Sequence, residues 1–113
     1  METEEKSLNL EDIKKSIEEE TGIMLYFWGE KCNVCHALKP KLFESFEKNF
    51  PKIKKISVDI SENGDIAASF GVFSIPTAII FLRGKEFARV SRNVSIPALI
   101  EQIKRPYEIL TSD

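Results

Sequence analysis

Apolar residues along the chain occur both in short continuous runs and at helical spacing. The continuous runs at 23–28 and 78–82 are typical of central strands that are covered on both faces. Apolar residues spread over 53–60 predict another strand, and residues 86–90 predict a fourth. Arg83 and Gly84 stand between the last two of these strands, and the pair predicts a tight turn that joins them as a hairpin.

Two helices are predicted in the first half of the chain. Asn9 or Ser7 can cap a first helix, in which apolar residues recur at helical spacing and which Gly22 is expected to stop. A longer amphipathic helix is predicted from about residue 34 to residue 50. Pro40 lies inside it and is expected to kink it, because proline removes one helical hydrogen bond.

Two further helices follow, a short one at 65–70 that Gly71 stops and a last one that Ser95 caps. Pro97 falls in the first turn of the last helix, and Pro106 is expected near its end. The predicted order is helix, strand, helix, strand, helix, strand, strand, helix. Early alternation favours parallel pairing and the late hairpin favours antiparallel pairing, so the pattern predicts an α/β fold with a mixed sheet and helices on both faces.

Length and charge place limits on the function. The 113 residues suit one domain, 1–113, in which the polar residues 1–6 are expected to fray. A net charge of -2, from 16 basic and 18 acidic residues, argues against a nucleic-acid partner. No stretch approaches the roughly 18 apolar residues of a membrane span. The acidic start, Met1-Glu-Thr-Glu-Glu-Lys, is unlike a secretory signal, so we expect a cytoplasmic protein without a membrane partner.

Both cysteines lie in one motif, Cys32-x-x-Cys35, where the first apolar run meets the second helix. A bridge over so short a loop stabilises little, and structural disulfides are rare in the cytosol. Cys32 falls at the helix N-terminus, where unpaired N–H groups favour a thiolate, and Lys31 adds positive charge. Cys35 lies one turn further in. These positions favour dithiol–disulfide chemistry over the alternative of two buried, inert cysteines.

From Ile23 to the last helix the chain resembles the thioredoxin family. The resemblance implies a thioredoxin-like three-layer sandwich whose central mixed sheet has four strands, or five, although residues 7–9 are too short and polar to indicate the usual first strand. The motifs that carry the resemblance are Phe27-Trp28 before the cysteine motif, Pro40 after it, Ile75-Pro76-Thr77, and the strand and turn from Phe81 to Gly84.

The resemblance implies a thiol–disulfide oxidoreductase that reduces protein disulfides without a metal or cofactor. Cys32 and Cys35 would form its redox-active disulfide, with Cys32 as the attacking thiol and Cys35 as the resolving thiol. Trp28, Val34, Ile75 and Pro76 would bind substrate, and the bond before Pro76 would be cis. The implied partners are disulfide-containing proteins and an upstream dithiol reductase, and we expect a monomer.

Several positions depart from the family pattern. Asn33-Val34 replaces the usual Gly-Pro between the cysteines, and Ser91 replaces a glycine that lines the substrate groove. Tyr26 stands where many members bury an aspartate. Because tyrosine is a poor base near neutral pH, we predict that Cys35 is activated less readily than in typical members. Lys55 falls on a strand where the family often has a lysine near the site, or it is a surface residue.

Three alternatives compete with this interpretation. A thioredoxin fold can also serve as a peptide-binding or chaperone-like module whose thiol pair is weakly active or regulatory. Cys32-x-x-Cys35-His36 matches a c-type haem attachment motif, although no second axial ligand is evident. Zinc needs four ligands, which one chain with two cysteines and one histidine does not offer here. A site shared within a dimer is disfavoured by Pro76. For His36 itself, we favour a solvent-exposed side chain over an electrostatic role.

Overall fold

The structure is a computed structural model and describes residues 8–112. Its elements follow the predicted order. Residues 1–6, expected to fray, and Ser7, the alternative cap of the first helix, lie outside the described residues. The elements are α1 (Leu10–Glu19), β1 (Gly22–Trp28), α2 (Asn33–Asn49), β2 (Ile53–Asp59), α3 (Gly64–Ser69), β3 (Thr77–Leu82), β4 (Lys85–Ser91) and α4 (Ile96–Thr111).

The four strands form one mixed sheet in the order β2-β1-β3-β4. β1 pairs in parallel with β2 and antiparallel with β3, which in turn pairs antiparallel with β4. The mixed sheet predicted from the element order is therefore confirmed. Within residues 8–112 the sheet has four strands, which leaves the five-stranded alternative without support there.

Helices cover both faces of the sheet, because successive residues of β1 alternate between two cores. Met24 and Tyr26 pack in the core that α2 and α4 cover, while Leu25 and Phe27 pack in the core that α1 and α3 cover. All four side chains are 0% exposed. Burial on both faces explains why β1 is a continuous apolar run. The strand lies inside the sheet, between two layers of helices.

The hairpin turn between β3 and β4 has the predicted composition. Arg83 has φ 52° and Gly84 has φ 84°, so both central residues adopt the left-handed conformation. This is the pattern of a type I′ turn, whose twist matches that of the strands it joins. Glycine at the second position removes the steric cost of that conformation.

Gly22 does not stop α1, and that prediction was wrong. The helix ends at Glu19 with Glu20 as its C-cap, whereas Gly22 is the buried first residue of β1. A Cβ atom added there would lie 2.8 Å from Cγ1 of Ile53 on β2. The glycine is therefore required by the close approach of two strands.

The caps agree with the sequence, and one helix is longer than expected. Oδ1 of Asn9 accepts hydrogen bonds from the backbone N–H groups of Glu11 at 2.8 Å and Asp12 at 3.2 Å, which confirms it as the N-cap of α1. Ser95 caps α4 as predicted.

The last helix, α4, continues past Pro106 to Thr111. Across residues 8–112, none of the helices is both long enough and apolar enough to span a bilayer.

Candidate active site

The cysteine motif lies where β1 gives way to α2. Cys32 is the N-cap of α2, and its Sγ accepts a hydrogen bond of 3.1 Å from the backbone N–H of Cys35. The N–H of Cys32 donates to the carbonyl of Gly29 at 3.1 Å, which fixes the loop that enters the motif. Cys32 and Cys35 form a disulfide.

The two cysteines differ in exposure. Cys32 is partly exposed, while Cys35 is 1% exposed and packs beneath the first turn of α2. This first turn carries no acidic residue, so no carboxylate opposes an anion at the helix N-terminus. The predicted difference between an accessible first thiol and an inner second thiol is confirmed as geometry.

A groove of about 460 Å³ opens beside Cys32. Ile75 forms one of its walls and is followed by Pro76, which is buried; the peptide bond between these two residues is cis. Gly29 allows Ile75 to approach the loop closely, since a Cβ at Gly29 would lie 2.9 Å from Cδ1 of Ile75. The residues that line the groove are Gly29, Glu30, Lys31, Cys32, Ile60, Ser61 and Ile75.

A second, smaller cavity of about 230 Å³ reaches Cys35. It is lined by Tyr26, Trp28, Cys35, His36 and Lys39. Of the four predicted substrate-binding residues, the structure therefore places Ile75 beside Cys32 and Trp28 beside Cys35. Val34, which is partly exposed, lines neither cavity, and neither does Pro76.

Comparison with known proteins settles the family. Residues 4–105 match the family model described as Thioredoxin. The chain belongs to the thioredoxin family. It is 31% identical to the thioredoxin-like protein YdfQ of Bacillus subtilis over 89% of each chain. It is 32% identical to thioredoxin of Rickettsia felis over 65% of this chain and 70% of that protein.

A solved structure agrees with this family assignment. The X-ray structure of thioredoxin from Fasciola hepatica has a TM-score of 0.68 at 30% identity, with 85% of this chain and 89% of that chain covered. The predicted thioredoxin-like fold is confirmed. Family membership, together with a C-x-x-C pair in disulfide contact, supports thiol–disulfide oxidoreductase activity.

Tyr26, at the position where many thioredoxins bury an aspartate, contacts the backbone of the motif. Its hydroxyl donates a 2.7 Å hydrogen bond to the carbonyl oxygen of Cys35. Burial raises the pKa of Tyr26 to about 12, because the fold excludes water from the charged phenolate. The side chain is therefore a neutral donor near neutral pH and offers no basic group to the thiols.

His36 is more engaged than the sequence suggested. The side chain is exposed, as expected, but Nε2 forms a 2.7 Å hydrogen bond with the backbone carbonyl of Glu30, and the ring lies edge-on to Trp28 with centroids 5.7 Å apart. Periodicity cannot reveal this contact, because it depends on how the loop after β1 folds back over the first turn of α2.

Lys55 lies away from both cavities. Its Nζ pairs with Oε1 of Glu47 on α2 at 2.7 Å. Strand register instead places Ser57 beside Tyr26, and this serine is 0% exposed. Among the described residues, its Oγ has no hydrogen-bond partner. Lys55 pairs with Met24, two positions before the pair of Tyr26 and Ser57, and the sequence does not reveal this register.

Sequence reasoning missed Phe73, which is 86% exposed two residues before Ile75. It lines a third pocket of about 350 Å³ together with Ser74, Arg89 and Ser91. Ser91 faces Thr77 across the strand pair. The only available signal was an aromatic residue in a loop, and Gly71-Val-Phe-Ser gives no indication of which side chain turns outward.

No group of three or more histidine, cysteine, aspartate or glutamate residues within 8–112 is arranged to hold a metal ion.

Proposed function

We propose that the protein reduces disulfide bonds in other proteins by thiol–disulfide exchange through Cys32 and Cys35. One observation carries the proposal: the sulfur of Cys32 sits at the N-cap of a 17-residue helix and accepts the N–H of Cys35. A hydrogen bond to sulfur and the positive end of the helix both favour the thiolate, which is the form that attacks disulfides.

In the proposed cycle, the reduced Cys32 thiolate attacks one sulfur of a substrate disulfide. A bond forms between Cys32 and that sulfur, and the other substrate sulfur leaves as a thiolate and takes a proton. The thiolate of Cys35 then attacks the sulfur of Cys32, and the remaining substrate sulfur leaves with the electron pair. The substrate gains two electrons, and the protein ends with the Cys32–Cys35 disulfide.

Substrate binding is assigned to the groove beside Cys32. Ile75 would offer its backbone edge to an extended substrate segment, and Pro76 belongs to the same predicted binding set. Trp28 and Val34 complete the predicted set around the dithiol. Phe73, exposed just before Ile75, extends this apolar surface and supports a polypeptide substrate over a small molecule.

The proposed partners follow from the chemistry. Each turnover leaves the protein oxidised, so an upstream dithiol reductase must return the two electrons. We further propose a single domain that acts as a monomer in the cytoplasm, where the glutathione and thioredoxin systems keep thiols reduced. Fractionation of cells that express the tagged protein and sedimentation of the purified protein test location and oligomeric state.

Trapping the mixed disulfide tests the mechanism. With insulin as substrate, the Cys32→Ser variant is expected to lose activity completely. The Cys35→Ser variant is expected to accumulate a covalent protein–substrate adduct that mass spectrometry detects and that a small thiol releases. Activity that persists in Cys32→Ser, or an adduct on Cys35 in that variant, would contradict the assigned roles.

The reduction potential of the dithiol tests the direction of electron flow. A value near roughly −270 mV is expected for a reductant, whereas a value above about −180 mV would identify an oxidant or isomerase. Equilibration with glutathione buffers of known potential, followed by alkylation of free thiols, provides the measurement.

A peptide-binding or chaperone-like module is the second candidate, and the exposure of Phe73 favours it. The variant with both Cys32→Ser and Cys35→Ser separates the two functions. Binding of unfolded protein that survives in this variant, together with absent insulin reduction by the wild-type protein, would support the module and reject the reductase.

A further inference from the structure

The reduction proposed above raises a question about protons. Before Cys35 can resolve the mixed disulfide, its thiol must lose a proton to a nearby acceptor, because the thiolate is the nucleophile. Cys35 is 1% exposed, so bulk water reaches it poorly. The cavity that leads to Cys35 is the available route, and the groups that line it decide which acceptor is present.

Three of the polar groups in this cavity are unsuited to accept a proton. Tyr26 is neutral and its hydroxyl is already donated to the carbonyl of Cys35. Lys39 is an ammonium whose Nζ lies 5.7 Å from the ring centroid of Trp28; a protonated ammonium has donors and no acceptor. The indole N–H of Trp28 is likewise a donor only. Among the described residues that line the cavity there is no carboxylate.

His36 differs from these groups, and its hydrogen bond determines its tautomer. The carbonyl oxygen of Glu30 can only accept, so Nε2 of His36 carries the proton of this 2.7 Å bond. In the neutral imidazole, Nδ1 then holds the lone pair. The ring also packs edge-on against Trp28, with centroids 5.7 Å apart, which restricts its rotation.

We propose that His36 is the proton acceptor for Cys35 in the resolving step. The proton passes from the Cys35 thiol to Nδ1 of His36 through water in the cavity, whose volume of about 230 Å³ is ample for water molecules. The thiolate attacks Cys32, the substrate sulfur leaves with the electron pair, and the imidazolium returns its proton to that sulfur or to solvent. His36 shares the cavity with Tyr26, Trp28, Cys35 and Lys39, and its ring contacts Trp28 and the backbone carbonyl of Glu30.

The inference rests on the proposed function. It fits the presence of tyrosine at position 26, where many thioredoxins bury an aspartate. A chain without a carboxylate beside the resolving thiol needs another acceptor, and imidazole is the side chain that changes protonation near neutral pH.

Stopped-flow measurement of the resolving step tests the inference. A mixed disulfide between Cys32 and a thionitrobenzoate group is formed on the protein, and release of the coloured thiol reports the attack by Cys35. General bases contribute roughly 10²–10⁴-fold. Because water can replace part of this effect, we expect His36→Gln to slow release about tenfold or more at pH 7.

The choice of glutamine separates proton transfer from positioning. The amide N–H of glutamine can still donate to the carbonyl of Glu30, but the side chain has no basic nitrogen. The pH profile of the His36→Gln rate should differ from that of the wild-type rate, because the variant has no imidazole in the cavity to accept the proton. In His36→Ala, added imidazole should restore the rate in proportion to its concentration.

The outcomes distinguish this inference from the proposed function. If the His36→Gln protein resolves the mixed disulfide at the wild-type rate and with the wild-type pH profile, His36 is not the acceptor, and the reductase stands. If the wild-type protein itself fails to release the thiol, the proposed function is rejected. A slow His36→Gln protein with an unchanged pH profile and no rescue by imidazole in His36→Ala assigns the residue a structural role and overturns the inference.

Discussion

The phenolic oxygen of Tyr26 lies 2.7 Å from the backbone carbonyl oxygen of Cys35, to which it donates a hydrogen bond. The contact joins the central strand to the first turn of α2 inside the core. It adds a hydrogen bond to the carbonyl group of Cys35 and holds this cysteine in place. The hydroxyl of Tyr26 therefore connects β1 to α2 and is not available for proton transfer.

Alkaline pH is expected to destabilise the protein through Tyr26. The fold raises the pKa of this group to about 12 from its usual 10.0, so the unfolded chain loses the proton first. Stability is therefore complete below pH 10 and falls as the pH rises from about 10 toward 12, by roughly 3 kcal/mol for two pKa units. Urea unfolding at several pH values measures the slope.

The Tyr26→Phe variant is the control for that titration. It lacks the ionisable hydroxyl and the hydrogen bond to the carbonyl of Cys35, whose loss costs about 0.5–1.5 kcal/mol at neutral pH. Its stability should decline less steeply above pH 10 than that of the wild-type protein. Parallel curves for the two proteins would show that Tyr26 does not titrate differently in the folded state.

Restoring a carboxylate at position 26 is expected to speed disulfide exchange. In Tyr26→Asp, a buried carboxylate could take the proton of the Cys35 thiol at pH 7, which the tyrosine cannot do. Tyr26→Asn is the matched control, since it has similar size and no basic oxygen. Insulin reduction at pH 7 should be faster in the aspartate variant than in the asparagine variant and the wild-type protein, and equal rates would contradict the predicted effect of Tyr26.

The sequence predicted the helices, the strands and their order because their signals are local. Apolar runs, helical spacing and capping residues such as Asn9 and Ser95 act within a few positions of each other. Gly22 was misassigned because a glycine that ends a helix and a glycine that begins a closely packed strand cannot be told apart from the sequence. The structure distinguishes the two cases, because a Cβ added at Gly22 would lie 2.8 Å from Cγ1 of Ile53.

The dithiol was equally predictable, whereas its surroundings were not. The spacing of Cys32 and Cys35 at a strand-to-helix junction predicted their disulfide and the deeper burial of Cys35, both of which the structure shows. The bond of His36 to Glu30, the register that places Ser57 beside Tyr26 and the outward turn of Phe73 depend on how separate segments meet. Such contacts leave no periodic pattern in the chain.

Gly22→Ala is expected to destabilise the protein. The added methyl group would overlap Cγ1 of Ile53 at 2.8 Å and approach Cδ2 of Leu82 at 3.3 Å, so these buried side chains must shift. Overpacking of this kind costs about 1–3 kcal/mol. Thermal or urea unfolding measures the loss.

Gly64→Ala is the matched control for that substitution. Gly64 begins α3, and an added Cβ there has no atom within 4 Å. Replacing glycine by alanine at a compatible helical site stabilises a protein by about 0.4–1 kcal/mol, chiefly because it reduces the conformational entropy of the unfolded chain. If both alanine variants changed stability equally, close packing at Gly22 would not be the cause.

Phe73→Ser is expected to impair the reduction of proteins selectively. The side chain is 86% exposed two residues before Ile75, which lines the groove, so its removal leaves the core intact and removes apolar area that a docked polypeptide could contact. We expect KM for insulin to rise about threefold to tenfold, corresponding to roughly 1 kcal/mol of lost contact, with kcat unchanged. Reduction of a small aromatic disulfide should proceed at the wild-type rate.

Ile109→Ser provides the comparison for Phe73→Ser. Ile109 is 62% exposed on α4 and lines neither the groove nor the two cavities. Its replacement should leave both reactions unchanged. An equal rise in KM for both variants would indicate a general effect of surface hydrophobicity, and Phe73 would then have no special part in docking.

Trp28 is the only tryptophan in the chain, and its ring lines the same cavity as Cys35 and His36. A disulfide quenches nearby indole fluorescence by accepting an electron from the excited state. Emission excited at the indole band therefore comes from a single ring beside the reacting sulfurs. The protein thus carries its own optical probe, with which each turnover can be followed without a label.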